Sequence, residues 1–211
     1  PKFEGIFEGL GGKLPPLTQF VLSLSHFLIN HFLLFGTVVG GTVAGFVVGM
    51  RNAKFRKEVH RVLLRIPIIG AIIKKIALAR FARTLGTMVT GGLPIMDSLD
   101  IVAKASGNLV VQDSIMKLKD ELARGKTLSE PMFKDKLFPP MVSQMVQVGE
   151  NTGQLEGMLN KIADYYEEEV DVTVAGLTSI IEPVLIVFLG GTVGVIIVAM
   201  YLPIFKIGEL I

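Results

Sequence analysis

Side chains able to do chemistry are sparse in this chain of 211 residues, and none of them falls into a catalytic pattern. There is no cysteine, which removes disulfides, thiolate metal sites and cysteine nucleophiles from consideration. The three histidines are His26, His31 and His60. His26 and His31, with Asn30 beside them, stand near the start of an apolar run, where imidazoles could relay protons or hold a metal. No acidic residue shares that run, so a place near the headgroups, or hydrogen bonding between helices, accounts for them better. Asp164, Glu167, Glu168, Glu169 and Asp171 crowd one segment and could attract a cation. Cation sites draw ligands from more than one element, whereas carboxylates along one helix read as a solvated acidic face. Glu150 lies within Gly149-Glu150-Asn151-Thr152-Gly153, which reads as a tight turn, and its carboxylate can accept from turn amides or cap a helix. No phosphate loop ending in Lys-Ser/Thr, no HExxH and no GxSxG is present. No catalytic, cofactor-binding or metal-ligating residues are therefore expected.

Glu182 is the carboxylate in the most unusual surroundings. It precedes Pro183, and no charge follows until Lys206. A carboxylate in or at a membrane helix is costly and by default suggests function, such as an ion pair to another helix or subunit. The local alternative is structural. Pro183 removes the amide that would bond to the Ser179 carbonyl, and Glu182 sits at headgroup depth beside that break.

The elements that must position these residues follow from composition. Half of the residues are hydrophobic and 19% are charged, with a mean hydropathy of +0.57. That balance predicts an integral membrane protein with a sizeable polar part. Residues 21–50 carry no Asp, Glu, Lys or Arg, long enough for one spanning helix. Gly36, Gly40, Gly41 and Gly45 recur in it, the small-residue spacing by which membrane helices approach closely. Gly190 and Gly194 offer the same in the second run, 173–205. Arg51, Lys54, Arg56 and Lys57 follow the first span at once. By the positive-inside rule that side is cytoplasmic, with residues 1–20 and 206–211 outside. Such a run could suggest nucleic acid, but beside a membrane helix anionic lipid is the nearer partner.

Residues 51–172 read as a cytoplasmic helical domain with its own core. Gly91-Gly92, Gly107-Asn108 and Gly125 mark helix ends, and Pro94 and Ser129 mark starts. Before the first span, apolar residues at 3–10 suggest a short surface helix, and Thr18 is placed to cap the helix after Pro15-Pro16. From Gln154, apolar residues spaced by threes and fours run through Tyr166 and Ile181 into the second span. No breaker intervenes except Pro183. The expected fold is an all-α membrane protein: a cytoplasmic helical-bundle domain flanked by two transmembrane helices, the last continuous with a long cytoplasmic helix.

Three strings carry a resemblance. RFARTLGTMVTGGLPIMDSLDIVAKASGN (80–108), FPPMVSQMVQVGENTGQLEGMLNKIADYYEEEVD (138–171) and IIEPVLIVFLGGTVGVIIVAMYLPIF (180–205) resemble stretches of the type II secretion F family, in the right order. LPPLTQF (14–20) is similar to the family's segment before a span. The resemblance implies two related cytoplasmic domains alternating with three spans. This chain would correspond to the C-terminal half. It also implies a non-enzymatic platform in a bacterial inner membrane. Its implied partners are hexameric assembly and retraction ATPases, pilin subunits and inner-membrane alignment proteins. It further implies a homo-oligomer that binds no nucleic acid and uses no cofactor. The family's motif residues fall on Gly149, Glu150, Thr152, Gly153, Glu182 and Pro183. The exit AMYLPIFKIG resembles pilus-assembly members more than secretion-system members. A transporter subunit or a membrane-tethered enzyme would need a polar path or a convergent pocket, and His26, Asn30, His31 and Glu182 are thin material for either.

Overall fold

A computed structural model describes residues 15–208, and every regular element among them is helical. The helices are α1 (Pro16–Asn30), α2 (Phe32–Arg51), α3 (Ala53–Arg65), α4 (Pro67–Thr90), α5 (Ile95–Ala105), α6 (Leu109–Ala123), α7 (Ser129–Met132), α8 (Pro140–Thr152) and α9 (Leu155–Gly208). The helix expected at 3–10 and the end of the tail, 209–211, lie outside the described residues. The chain divides into two units: one joins residues up to Val48 with those from Leu177 onward, and the other is Gly49–Gly176. α9 contributes to both.

In the first unit, α1 begins with Pro16 in its first turn, where a missing N–H costs nothing. No side chain caps it. Thr18, expected as a cap, lies inside α1 and donates its hydroxyl to the Ala199 carbonyl of α9 at 2.7 Å. That carbonyl needs a donor because its partner four residues on is Pro203, which has no N–H. The single helix expected over 21–50 is two helices that meet at His31, where φ −106° and ψ 11° leave the helical region. The backbone ladder continues on both sides, with His31 N–H on Phe27 O at 3.0 Å and Phe35 N–H on His31 O at 2.7 Å. The imidazole stacks on the Phe27 ring at 4.7 Å, and its Nδ1 donates to the same Phe27 carbonyl at 3.0 Å. The distortion is thus one residue deep. α2 and the apolar part of α9 are each long and apolar enough to cross a membrane.

In the second unit, side-chain caps set two helix starts. Asn52 Oδ1 accepts from the Lys54 amide, and Asn108 Oδ1 from the amides of Val110 and Val111. Asn108, expected to end a helix, therefore opens the next one. Pro94 likewise stands just before α5 as its N-cap residue. The core gathers Phe81 and Leu85 of α4, Leu99 of α5, Ile115 and Leu118 of α6, Met132 of α7, Val142 and Val146 of α8, and Leu159 and Ile162 of α9. Phe81 and Phe138 meet edge to face at 5.2 Å.

Two close approaches fix the corners. At the α3–α4 corner, a Cβ on Gly70 would stand 2.3 Å from the Leu64 carbonyl oxygen, so only glycine fits. At the α8–α9 corner, residues 149–152 are the last turn of α8 and not the tight turn expected. Only Gly153 turns, with φ 70°, and the Gln154 N–H closes onto the Gly149 carbonyl at 2.9 Å. Gly149 is buried, and a Cβ there would lie 2.9 Å from Leu155 Cα.

Candidate functional site

The charged residues that converge lie between α4 and α9. Lys75 and Arg83 are two turns apart on α4, so they share a face. Arg83 donates Nε and Nη2 to the two carboxylate oxygens of Glu167, at 3.0 and 2.8 Å, and Nη2 also reaches Asp164. Lys75 donates to Glu169 at 2.7 Å and to Thr173 Oγ1 at 3.0 Å. The acidic face expected to be solvated is therefore partly a clasp, since three of its five carboxylates meet cations on α4. Glu168 and Asp171 stay exposed. The hydrogen bonds from Arg83 hold the Glu167 carboxyl below the usual carboxylate range. In return Glu167 first, then Asp164, raises the Arg83 guanidinium. The fork on Glu167 is the strong geometry for such a pair, although exposure keeps each pair near ~1 kcal/mol or less. Among the described residues no three His, Cys, Asp or Glu side chains converge as metal ligands.

The α8–α9 corner holds a second constellation. Glu150 Oε1 accepts from the Leu128 amide at 2.6 Å and Oε2 from the Ser129 amide at 3.1 Å. The carboxylate thus ties α8 to the start of α7, the structural role its position suggested. Thr152 Oγ1 donates to the Val148 carbonyl at 2.7 Å inside α8. Gly149 and Gly153 serve the crossing and the turn described above.

The remaining sequence candidates do not converge on these. α9 runs through Glu182 and Pro183 without interruption, and no described residue pairs with Glu182. Gly36, Gly40, Gly41, Gly45, Gly190 and Gly194 have nothing within 4 Å of where a Cβ would be, so their faces are open. Arg51, Lys54 and Arg56 are exposed. Lys57 forms an ion pair with Asp113 of α6 across the α3–α6 contact. His60 has a role that its sequence neighbours do not reveal. Its Nδ1 accepts the Leu109 amide at 2.9 Å, at the start of α6. Burial, and then Arg56 nearby, hold its imidazole below the ordinary value.

Among the described residues this arrangement is a set of helix-to-helix ties. The family profile described as type II secretion system (T2SS), protein F matches residues 81–203, more than half of the chain. The chain belongs to the type II secretion system protein F family. It is an all-α membrane protein of that family. The match starts at the core residue Phe81 and ends at Pro203, so it takes in the Arg83 part of the α4–α9 face but not Lys75, together with the α8–α9 corner and the Glu182-Pro183 step. The type IV pilus assembly protein PilC of Myxococcus xanthus (strain DK1622) is 44% identical over 207 residues, 98% of this chain and 50% of that protein. PilC of Pseudomonas aeruginosa is 43% identical over 212 residues, covering 100% of this chain and 57% of that protein. The type II secretion system protein F of Pseudomonas aeruginosa is 30% identical over 211 residues, 100% of this chain and 52% of that protein. The chain spans about half the length of the curated F-family relatives it matches.

Proposed function

We propose that this chain is part of an inner-membrane platform of the type IV pilus machine, without catalysis of its own. In this reading it couples a cytoplasmic hexameric ATPase to pilin extraction, polymerisation and retraction. Residues 51–172 form the cytoplasmic part and 1–20 and 206–211 lie outside. Inner-membrane alignment proteins and further copies of the chain are its neighbours. The observation that carries the reading is α9. One helix is clasped to α4 through Lys75 and Arg83, and then continues as the apolar run that can cross a membrane. A helix transmits displacement that a flexible linker would dissipate. The pilus reading is favoured over secretion because relatives named for pilus assembly are 39–44% identical, against 29–32% for those named for type II secretion. Glu182 and the open glycine faces, having no partner within the described chain, are the proposed contacts to neighbouring subunits.

The test is a short Gly/Ser insertion after Asp171 in the protein as the bacterium makes it. Piliation is expected to be lost while the variant stays in the membrane. Normal piliation would overturn the coupling role.

A further inference from the structure

α3 and the first turn of α4 carry an apolar face on which Val62, Ile66, Ile68 and Ile69 stand exposed, while Phe55 at its start lies against Gly49. Phe55, Val59, Val62 and Ile66 recur at i, i+4, i+7 and i+11, one stripe along a helix. Its opposite face is engaged: His60 and Lys57 both reach α6. The later part of the stripe faces out, with Val62 at 55% exposure, and runs into Ile68 at 58% and Ile69 at 45%. The corner that presents these isoleucines is stiff. Pro67 begins α4, and Gly70 packs against the Leu64 carbonyl. Basic side chains flank the stripe: Lys54, Arg56 and Arg65 are exposed.

Chain connection says what lies nearby. α3 begins at Ala53, two residues after the end of α2, which is uncharged until Arg51 and long enough to cross a bilayer. The start of α3 is therefore at headgroup level. α3 is 13 residues long, roughly 20 Å, so Ile66–Ile69 reaches the same level only if α3 lies along the surface. An apolar stripe with a cationic border running the whole length of the helix suits that posture.

We infer that α3 and the α3–α4 corner form an interfacial wedge. Val62, Ile66, Ile68 and Ile69 enter the headgroup–acyl boundary of an anionic bilayer, while Lys54, Arg56 and Arg65 meet lipid phosphates. Depth of entry is ~5–10 Å. The inference needs α2 to span a membrane, but holds whichever machine the chain serves. It gives α3 a contact with the bilayer beyond its covalent link to α2.

The chain has no cysteine, so one label can be placed at a time. The whole chain, carrying Ile68→Cys or Phe133→Cys with a bimane label, is reconstituted in nanodiscs of phosphatidylcholine and phosphatidylglycerol. Both positions are exposed, so neither substitution disturbs the core. The label at 68 is expected to be blue-shifted and quenched several-fold more than the label at 133 by lipids bearing nitroxides. Iodide in the aqueous phase should show the reverse order. Replacing phosphatidylglycerol by phosphatidylcholine should weaken the lipid quenching at 68. Equal iodide access at the two positions, with no lipid quenching at 68, would overturn the wedge. So would shielding of 68 from both quenchers, which would mean that a protein or a second copy covers the face. Lipid quenching indifferent to phosphatidylglycerol would overturn the part given to the basic residues.

Discussion

Thr18 and Ala199 form the contact whose logic is most local. Pro203 leaves the Ala199 carbonyl without a helical donor, and the Thr18 hydroxyl supplies one at 2.7 Å. A buried carbonyl left unpaired costs about 1–3 kcal/mol. Thr18→Ala is therefore expected to lower the thermal stability of the chain in nanodiscs by about that much, while Thr18→Ser keeps most of it. Equal melting of the two variants would contradict this account. His60 makes the second prediction at this scale. Its imidazole accepts the Leu109 amide through Nδ1, so the neutral form is the one the fold uses. Its value is lowered from 6.5 by burial and by Arg56. Between 6.5 and the lower folded value, the unfolded chain binds more protons than the folded one. Stability is then full above 6.5 and falls as pH drops through that window. His60→Asn, which can still offer a side-chain acceptor, should flatten the fall in denaturant titrations between neutral and mildly acidic pH. The sequence showed His60 only as one of three histidines, because the amide it accepts is 49 residues away.

Helices meet where small residues let them, and Gly149 shows how far such a meeting is legible. Gly-Glu-Asn-Thr-Gly reads as turn chemistry, since glycine and asparagine both favour turns. Yet Gly149 is helical, and its missing side chain makes room for Leu155. Within that stretch Gly153 alone carries a left-handed φ. Gly149→Ala places a Cβ 2.9 Å from Leu155 Cα, which α9 can relieve only by shifting. Overpacking of this kind costs about 1–3 kcal/mol. Reduced stability with retained helix content, measured by circular dichroism against urea, is the expected result. A neutral effect would mean that the crossing is loose. Helix periodicity and most helix ends were legible, because glycine, proline and asparagine punctuate this sequence. The partners of charged faces were not. Asp164 and Glu167 looked solvated until α4 brought Arg83, 81 and 84 residues away along the chain, across from them. The break at His31 was equally hidden, as neither glycine nor proline marks it.

On the scale of the whole molecule, the proposed coupling through α9 depends on backbone continuity. The Gly/Ser insertion after Asp171 has a matched control: an insert of the same length built from helix-forming residues. Such sequences stay semi-rigid, so the control should retain part of the piliation that the flexible insert loses. Equal loss from both would point to length or register in place of stiffness. The all-helical class and the two apolar runs were readable without coordinates. They follow from composition and periodicity, which are properties of local stretches. Thr18 meeting Ala199, Glu150 bridging the amides of Leu128 and Ser129, and Lys57 claimed by Asp113 were decided only in the folded chain. Each joins residues distant in sequence, and hydrogen bonds across such gaps depend on how helices pack, which no local pattern encodes.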